Sequence, residues 1–469
     1  MIGNATGAIL PFVVAARFRP GPASDAYFYA LGTILYFNSV IALAVESSAA
    51  PHVVRIKLLG RRAINRFLIR TELQSVAASS AVTVMGTALV VILVLPGTSF
   101  DGEQRHAISD SMILLAPLPL LVTATSILAG AHYAFHKFLL PTCSLASRSL
   151  FALIFAFAFG SQLGISSVIY GLLVGELIRL ALLSVSIRGL VVGQASRPDP
   201  SQVQLDEGRG FWRAAGPQVA SMSLSGLSPM VDKTVAATLG AGRVTTMELA
   251  QRLVYTPMLL IVSAIGLVVG TSWAEMFTLS DHRSALRRDY WRVQRVMLAI
   301  SMSFAVVSVA AVWACQPVLR DLLGLSDPST LVVTYSLLAL SIPCAVSANL
   351  AVRLHIAAAR TRWMPALTIV TVSANLALDV IFAPLMGMAG IALSSVAVMA
   401  LNAAMYNGMA TRLLRASQTS ERSAPDTHPG LGTSAADAVD AVELLSDEAA
   451  GFGPAEQLVK ASQGWSGAA

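Results

Sequence analysis

SVAASSAVTVMGTALVVILVLP, from Ser75 to Pro96, runs for 22 residues without a charge. At about 1.5 Å of rise per residue, a helix of that length covers the roughly 30 Å hydrocarbon core of a bilayer. Such a run reads as a membrane span, and the rest of the chain repeats it. Twelve apolar stretches recur, at about 2–18, 26–50, 73–96, 108–131, 140–159, 165–187, 213–239, 244–276, 293–315, 330–358, 364–384 and 387–411. The first is barely long enough. It carries no basic leader and no cleavage site ahead of a soluble domain, so it reads as a span and not a signal peptide. That helix is expected to start upstream of Met1.

Composition agrees. The 469 residues are 55% hydrophobic and 12% charged, with a mean hydropathy of +0.68. A soluble domain carries about 25% charged residues, which excludes a soluble enzyme, and disorder would need low hydrophobicity. Cys143, Cys315 and Cys344 lie in apolar stretches without metal spacing or a disulfide framework.

The net charge of +6 would point to nucleic acid in a soluble protein, but its distribution points to a membrane. With the N-terminus in the cytoplasm, 20 Lys/Arg fall in the inner loops and 4 (Arg19, Arg105, Arg243, Arg320) in the outer ones. That is the positive-inside pattern, and an odd number of spans would break it. Both termini are then cytoplasmic, with no nucleic-acid partner.

Two stretches are polar. Residues 188–212 form an inner linker with six spans on either side. Residues 416–469 carry eight Asp/Glu against Arg422 and Lys460 and read as a disordered cytoplasmic tail, with room for a short helix at 434–450 and for docking of envelope-synthesis proteins. The expected units are therefore 1–190, 191–211, 212–414 and 415–469.

The halves also echo each other. Val14–Gly21 (VAARFRPG) and Val235–Gly242 (VAATLGAG) share four identities at an offset of 221 residues. A fainter pair links His132–Pro141 with His355–Pro365. Two parallel six-helix halves are a transporter architecture, with the site in the cleft between them.

Charges within spans are costly and mark candidate sites. Glu248 and Arg252 stand at i, i+4 on span 8; Glu176 and Arg179 stand at i, i+3 on span 6. Each pair reads either as a site or as a structural ion pair inside the bundle, the second reading being the stronger for Glu176 and Arg179. Asp232 and Lys233 are neighbours on span 7 and cannot share a face. Arg148 lies on span 5, Arg353 and His355 on span 10, and Asp379 on span 11. Glu46 and Glu275 sit close enough to the inner ends to snorkel. Pro217, Pro229 and Pro257 read as hinges or as packing kinks. No phosphate-binding loop, metal motif or catalytic triad occurs, and nothing calls for a cofactor.

Three segments resemble a known family. Gly3–Ala30 (GNATGAILPFVVAARFRPGPASDAYFYA) is similar to the first helix hairpin of the MurJ (MviN)-type lipid II flippases. Gly216–Pro257 is similar to their helices 7 and 8, and Arg360–Ser394 to their helices 11 and 12. The wider group is the multidrug/oligosaccharidyl-lipid/polysaccharide (MOP) exporter superfamily. The resemblance implies an all-α polytopic membrane protein, with twelve transmembrane helices in two pseudo-symmetric lobes arranged as a V. It implies movement of an undecaprenyl-pyrophosphate-linked glycan across a bacterial plasma membrane by alternating access, without enzymatic chemistry. The family's acidic residue after span 1 falls at Asp25 and its helix 8 arginine at Arg252. Expected substrate contacts are Arg252, Asp25, Glu248, Arg148, Arg179, Lys233 and Arg353; Asp379 and Asp232 are the expected coupling-ion residues. The family's arginines on helices 1 and 2 are replaced by Asn4, Leu10 and Asn38, and its two extra C-terminal helices by the acidic tail. Two alternatives stay open: a cation-coupled MATE-type antiporter using Asp379, Glu248 or Asp232, and a non-transporting membrane scaffold.

Overall fold

The computed structural model describes residues 2–57, 60–98, 100–192, 211–212, 219, 226–278, 283–325, 327–358 and 363–422. The linker and tail expected at 191–211 and 415–469 lie mostly outside these residues. Fifteen α-helices are described: α1 (Ile2–Phe18), α2 (Pro22–Lys57), α3 (Arg61–Leu89), α4 (Gly102–Leu115), α5 (Pro117–Ala134), α6 (Leu139–Leu163), α7 (Ser166–Val192), α8 (Leu227–Ala237), α9 (Arg243–Thr278), α10 (Arg283–Ala314), α11 (Gln316–Leu323), α12 (Pro328–Ala339), α13 (Ser341–Ala357), α14 (Met364–Met386) and α15 (Met388–Arg422). No strand occurs among the described residues. In hydrocarbon every backbone group must find its partner within the segment, which helices achieve.

Nine helical segments among the described residues are long and apolar enough to cross a bilayer. α1 and α9 cover two of the other expected spans; α8 covers the end of the third, expected at 213–239, whose first half lies mostly outside the described residues. Prolines account for departures from straight helices. The span at Gly102–Ala134 breaks at Ala116, because Pro117 has no N–H to give Ile113 and starts α5 instead. The span at Pro328–Ala357 breaks at Leu340 for the same reason, with Pro343 following in the first turn of α13. The Ser75–Pro96 run does not stay α-helical to its end. It widens into a π-turn at Val90–Val94 and tightens into a 3-10 turn at Leu95–Gly97, around Pro96.

Burial is inverted relative to a soluble protein. Leu73, Met85 and Leu385 are more than 70% exposed, on faces that acyl chains would cover. The buried set includes Asp25, Glu176, Arg179, Asp232, Glu248 and Asp379. One apolar cluster comes almost wholly from residues 236–414; two others come mainly from residues 10–191. The described residues up to Arg415 form one compact unit.

α6 and α7 pack backbone to backbone. A Cβ at Gly175 would lie 2.6 Å from the Ser147 carbonyl and the Arg148 Cα; one at Gly171 would lie 2.5 Å from the Phe151 carbonyl. Small residues four apart allow this close approach, and it sets the height and facing of Arg148. We expect Gly175→Ala to cost about 1–3 kcal/mol through overpacking. Gly189→Ala, which meets open space, should be neutral within about 0.5 kcal/mol. Thermal unfolding of the two purified variants checks this.

Candidate functional site

The densest polar group lies where α8 and α9 meet the N-terminal helices. Glu248 is one turn above Arg252 on α9. Its Oε1 accepts from Arg252 Nε at 2.7 Å, and its Oε2 lies 2.5 Å from Lys233 Nζ on α8. One buried carboxylate therefore serves two cations, and the Arg252 side chain remains 38% exposed. Lys233 reaches Glu248 over Gly32 of α2, where any Cβ would stand 2.5 Å from Nζ. Tyr27 of α2 is fully buried and lies within electrostatic reach of Glu248, Arg252 and Arg148. Its hydroxyl has no hydrogen-bond partner among the described residues.

Arg148 of α6 extends the group. It is half-buried and within electrostatic reach of Arg252, Glu176 and Arg179. Glu176 and Arg179 form a buried pair at 3.0 Å. Thr125 of α5 knits them together, donating to Glu176 Oε1 at 2.6 Å and accepting from Arg179 at 3.1 Å. Glu176 Oε2 and Arg179 Nε have no partner among the described residues. Of the expected contacts, Arg252, Glu248, Lys233, Arg148 and Arg179 thus fall in one neighbourhood. Glu46 of α2 lies within electrostatic reach of Arg179, so charge there runs to four cations against three carboxylates.

Asp25 is placed differently. It is fully buried in the first turn of α2 and joins the two halves of the chain. It accepts from the backbone N–H of Gly242, from the N–H of Thr245 at 2.8 Å and from the Thr245 hydroxyl at 2.6 Å. It thus caps the start of α9 from across the molecule, where a carboxylate meets the positive end of the helix dipole. Ser24 and the Tyr29–Thr234 hydrogen bond at 3.2 Å reinforce the junction. In this conformation α1–α2 and α8–α9 are shut against each other at that end.

Asp232 lies beside Lys233 but on a different face of α8. Its carboxylate accepts from Asn375 at 2.8 Å, Gln251 at 3.0 Å and Ser395 at 3.2 Å. Asp379, fully buried one turn beyond Asn375 on α14, also receives Asn375, at 3.4 Å. Its Oδ1 has no partner among the described residues. Two buried carboxylates, one open oxygen and a ring of amide and hydroxyl groups make a compact oxygen-rich polar group inside the bundle, which is costly there without a role. No cluster of three or more His, Cys, Asp or Glu occurs among the described residues.

Arg353 is half-buried on α13, and no ion pair joins it to these groups among the described residues. His355 packs beside Tyr406, ring centres 6.4 Å apart. Leu10, one of the three positions where the resemblance led us to expect an arginine, is buried in an apolar cluster; the side chains of Asn4, Asn38 and Glu275 lie outside the described residues. Sequence reasoning missed Tyr27, Gly32, Thr125 and Gln251. The Tyr27–Phe28–Tyr29 run beside Asp25 was the available signal for the first; the others depend on neighbours remote in sequence.

A family model described as lipid II flippase MurJ matches residues 14–425. A curated relative from Thermotoga maritima, named probable lipid II flippase MurJ, is 24% identical over 417 residues, covering 83% of this chain and 79% of its own length. A solved lipid II flippase MurJ in an inward closed conformation has a TM-score of 0.68 at 17% identity, covering 87% of this chain and 86% of its own. An inward-facing multidrug resistance MATE family transporter of the MOP superfamily has a TM-score of 0.66 at 14% identity, covering 89% and 95%. The two solved structures show a shared fold. With the family model spanning most of its length, the chain belongs to the lipid II flippase MurJ family.

Proposed function

We propose that this protein moves an undecaprenyl-pyrophosphate-linked glycan, lipid II in the first instance, from the inner to the outer leaflet of a bacterial plasma membrane, without covalent chemistry. The observation that carries the reading is the single carboxylate of Glu248 between Lys233 and Arg252. A surplus of positive charge at membrane depth is costly unless an anion completes it. A pyrophosphate supplies that anion through charge-assisted hydrogen bonds. Arg148 and the Tyr27 hydroxyl stand where further oxygens are reached, and Arg252, the most exposed member, meets the substrate first. Arg179, held by Glu176 and Thr125, acts as a support for the chamber. Arg353 remains an expected contact for another conformation of the cycle.

Transport then requires the Asp25 junction to part. Two six-helix lobes, 1–190 and 212–414, with both termini cytoplasmic, would rock about the cationic chamber. Asp232 and Asp379 form the proposed coupling site for a proton or sodium ion. This is the feature most like a cation-coupled antiporter, and it fits inside the flippase reading as the energy source. The tail at 415–469 is proposed as a docking segment for envelope-synthesis proteins.

Two outcomes are expected. Arg252→Ala should abolish complementation of a flippase-deficient strain, with expression and membrane insertion unchanged on immunoblots of membranes; full complementation contradicts the site. Asp379→Asn should remove the dependence of transport on an ion gradient in proteoliposomes while lipid II binding survives. A variant whose rate still follows the imposed gradient contradicts the coupling role.

A further inference from the structure

A cavity of about 350 Å³ lies at the end of the C-terminal helices where α8 turns into α9, α12 begins and α14 turns into α15. It is separate from the Glu248 group. We propose that this cavity binds the phosphate of an anionic headgroup at the outer membrane surface. The proposal borrows only the choice of leaflet from the orientation given above.

Four observations carry it. Arg243 is the one charged residue lining the cavity. Its nearest carboxylate, Asp327, is 4.0 Å away, a long contact. Asp327 is also committed elsewhere: it caps α12 through the Thr330 N–H and accepts from the Ser329 and Thr330 hydroxyls. Arg243 therefore keeps most of its hydrogen-bonding fork for another anion.

Two helices also start at the cavity wall, α12 with Ser329 and Thr330 and α15 with Met388 and Ala389. At α15 the Met388 and Ala389 N–H groups precede any intrahelical partner and add positive potential on the same side as Arg243, whereas at α12 Pro328 has no N–H and Asp327 already takes the Thr330 N–H. The third observation is independent of both. Thr334, one turn deeper on α12, lines the cavity and is 1% exposed. Its hydroxyl has no hydrogen-bond partner among the described residues. A buried hydroxyl left unpaired is unusual unless a ligand or water completes it.

The last observation is the rim. Leu239, Val333, Met386 and Met388 give the cavity an apolar side, and Leu385 beside it is 76% exposed. A free inorganic ion has no use for such a wall; the glycerol and first methylenes of a lipid do. The cavity thus offers a cation, the uncapped N-terminus of α15 and a hydroxyl to a phosphate, and an apolar edge to what the phosphate is attached to.

The test uses the full chain in detergent. Native mass spectrometry compares binding of dioleoylphosphatidylglycerol with that of dioleoylglycerol, which lacks the phosphate. Thermal unfolding is followed with inorganic phosphate. Wild type should prefer the phospholipid, and Arg243→Gln and Thr334→Val should each weaken that binding by at least about tenfold, as loss of a hydrogen bond to a charged group predicts. Arg243 also lies within electrostatic reach of Asp25, so the isosteric Thr334→Val is the cleaner arm. If inorganic phosphate alone raises the unfolding temperature of wild type but of neither variant, the phosphate chemistry stands and its source is soluble. Phospholipid binding and phosphate response that are the same in all three proteins overturn the proposal. Transport is not the readout, so failure here leaves the proposed function intact.

Discussion

An ionised side chain cannot rest in hydrocarbon without a partner, and this protein meets that constraint incompletely. Glu248 neutralises one of the two cations that touch it. The cost of the remaining charge is kept down by partial exposure of Arg252 and by the phenol of Tyr27 nearby. Much of the surrounding packing serves that arrangement. Gly32 is small so that Lys233 can pass, and Gly175 is small so that α6 lies close enough to present Arg148. A fully neutral cluster would be more stable and would have nothing to offer an anion. The incomplete pairing is what gives the proposed flippase reading its chemical content.

The three polar groups share few elements, and α8 is common to all. Successive residues of a helix point about 100° apart, so Lys233 faces Glu248 while Asp232 faces Asn375, Gln251 and Ser395. Thr234, the next residue, meets Tyr29 across the junction that Asp25 closes. On the proposed reading, an ion arriving at Asp232 and Asp379 changes the charge balance on the helix that carries Lys233. That helix also helps to hold the lobes together. Coupling between ion, substrate and conformation then needs no long relay, since a shift of α8 alters all three groups together.

Much of this was legible in the sequence. Uncharged runs of bilayer length, such as Ser75–Pro96, predict helices without any tertiary information. The charged residues within spans were visible for the same reason, and the i, i+4 spacing of Glu248 and Arg252 correctly placed them together. The adjacency of Asp232 and Lys233 correctly implied different faces. What could not be read was anything depending on partners hundreds of residues away. Asp25 looked like a substrate contact, and its bonding to Gly242 and Thr245 is set by how the two halves meet. The breaks at Ala116 and Leu340 were signalled by Pro117 and Pro343, but hydropathy averages over such positions and hides them.

On the proposed reading the chamber recognises the pyrophosphate and not the sugar or the polyprenyl chain. The most direct measurement is the affinity of the solubilised protein for lipid II against an analogue in which the same glycan is joined to the polyprenol without phosphate. The wild-type protein should prefer the pyrophosphate form by at least about tenfold, from one or more charge-assisted hydrogen bonds, and Lys233→Ala should lose that preference. Equal affinity for the two lipids in the wild-type protein would contradict it.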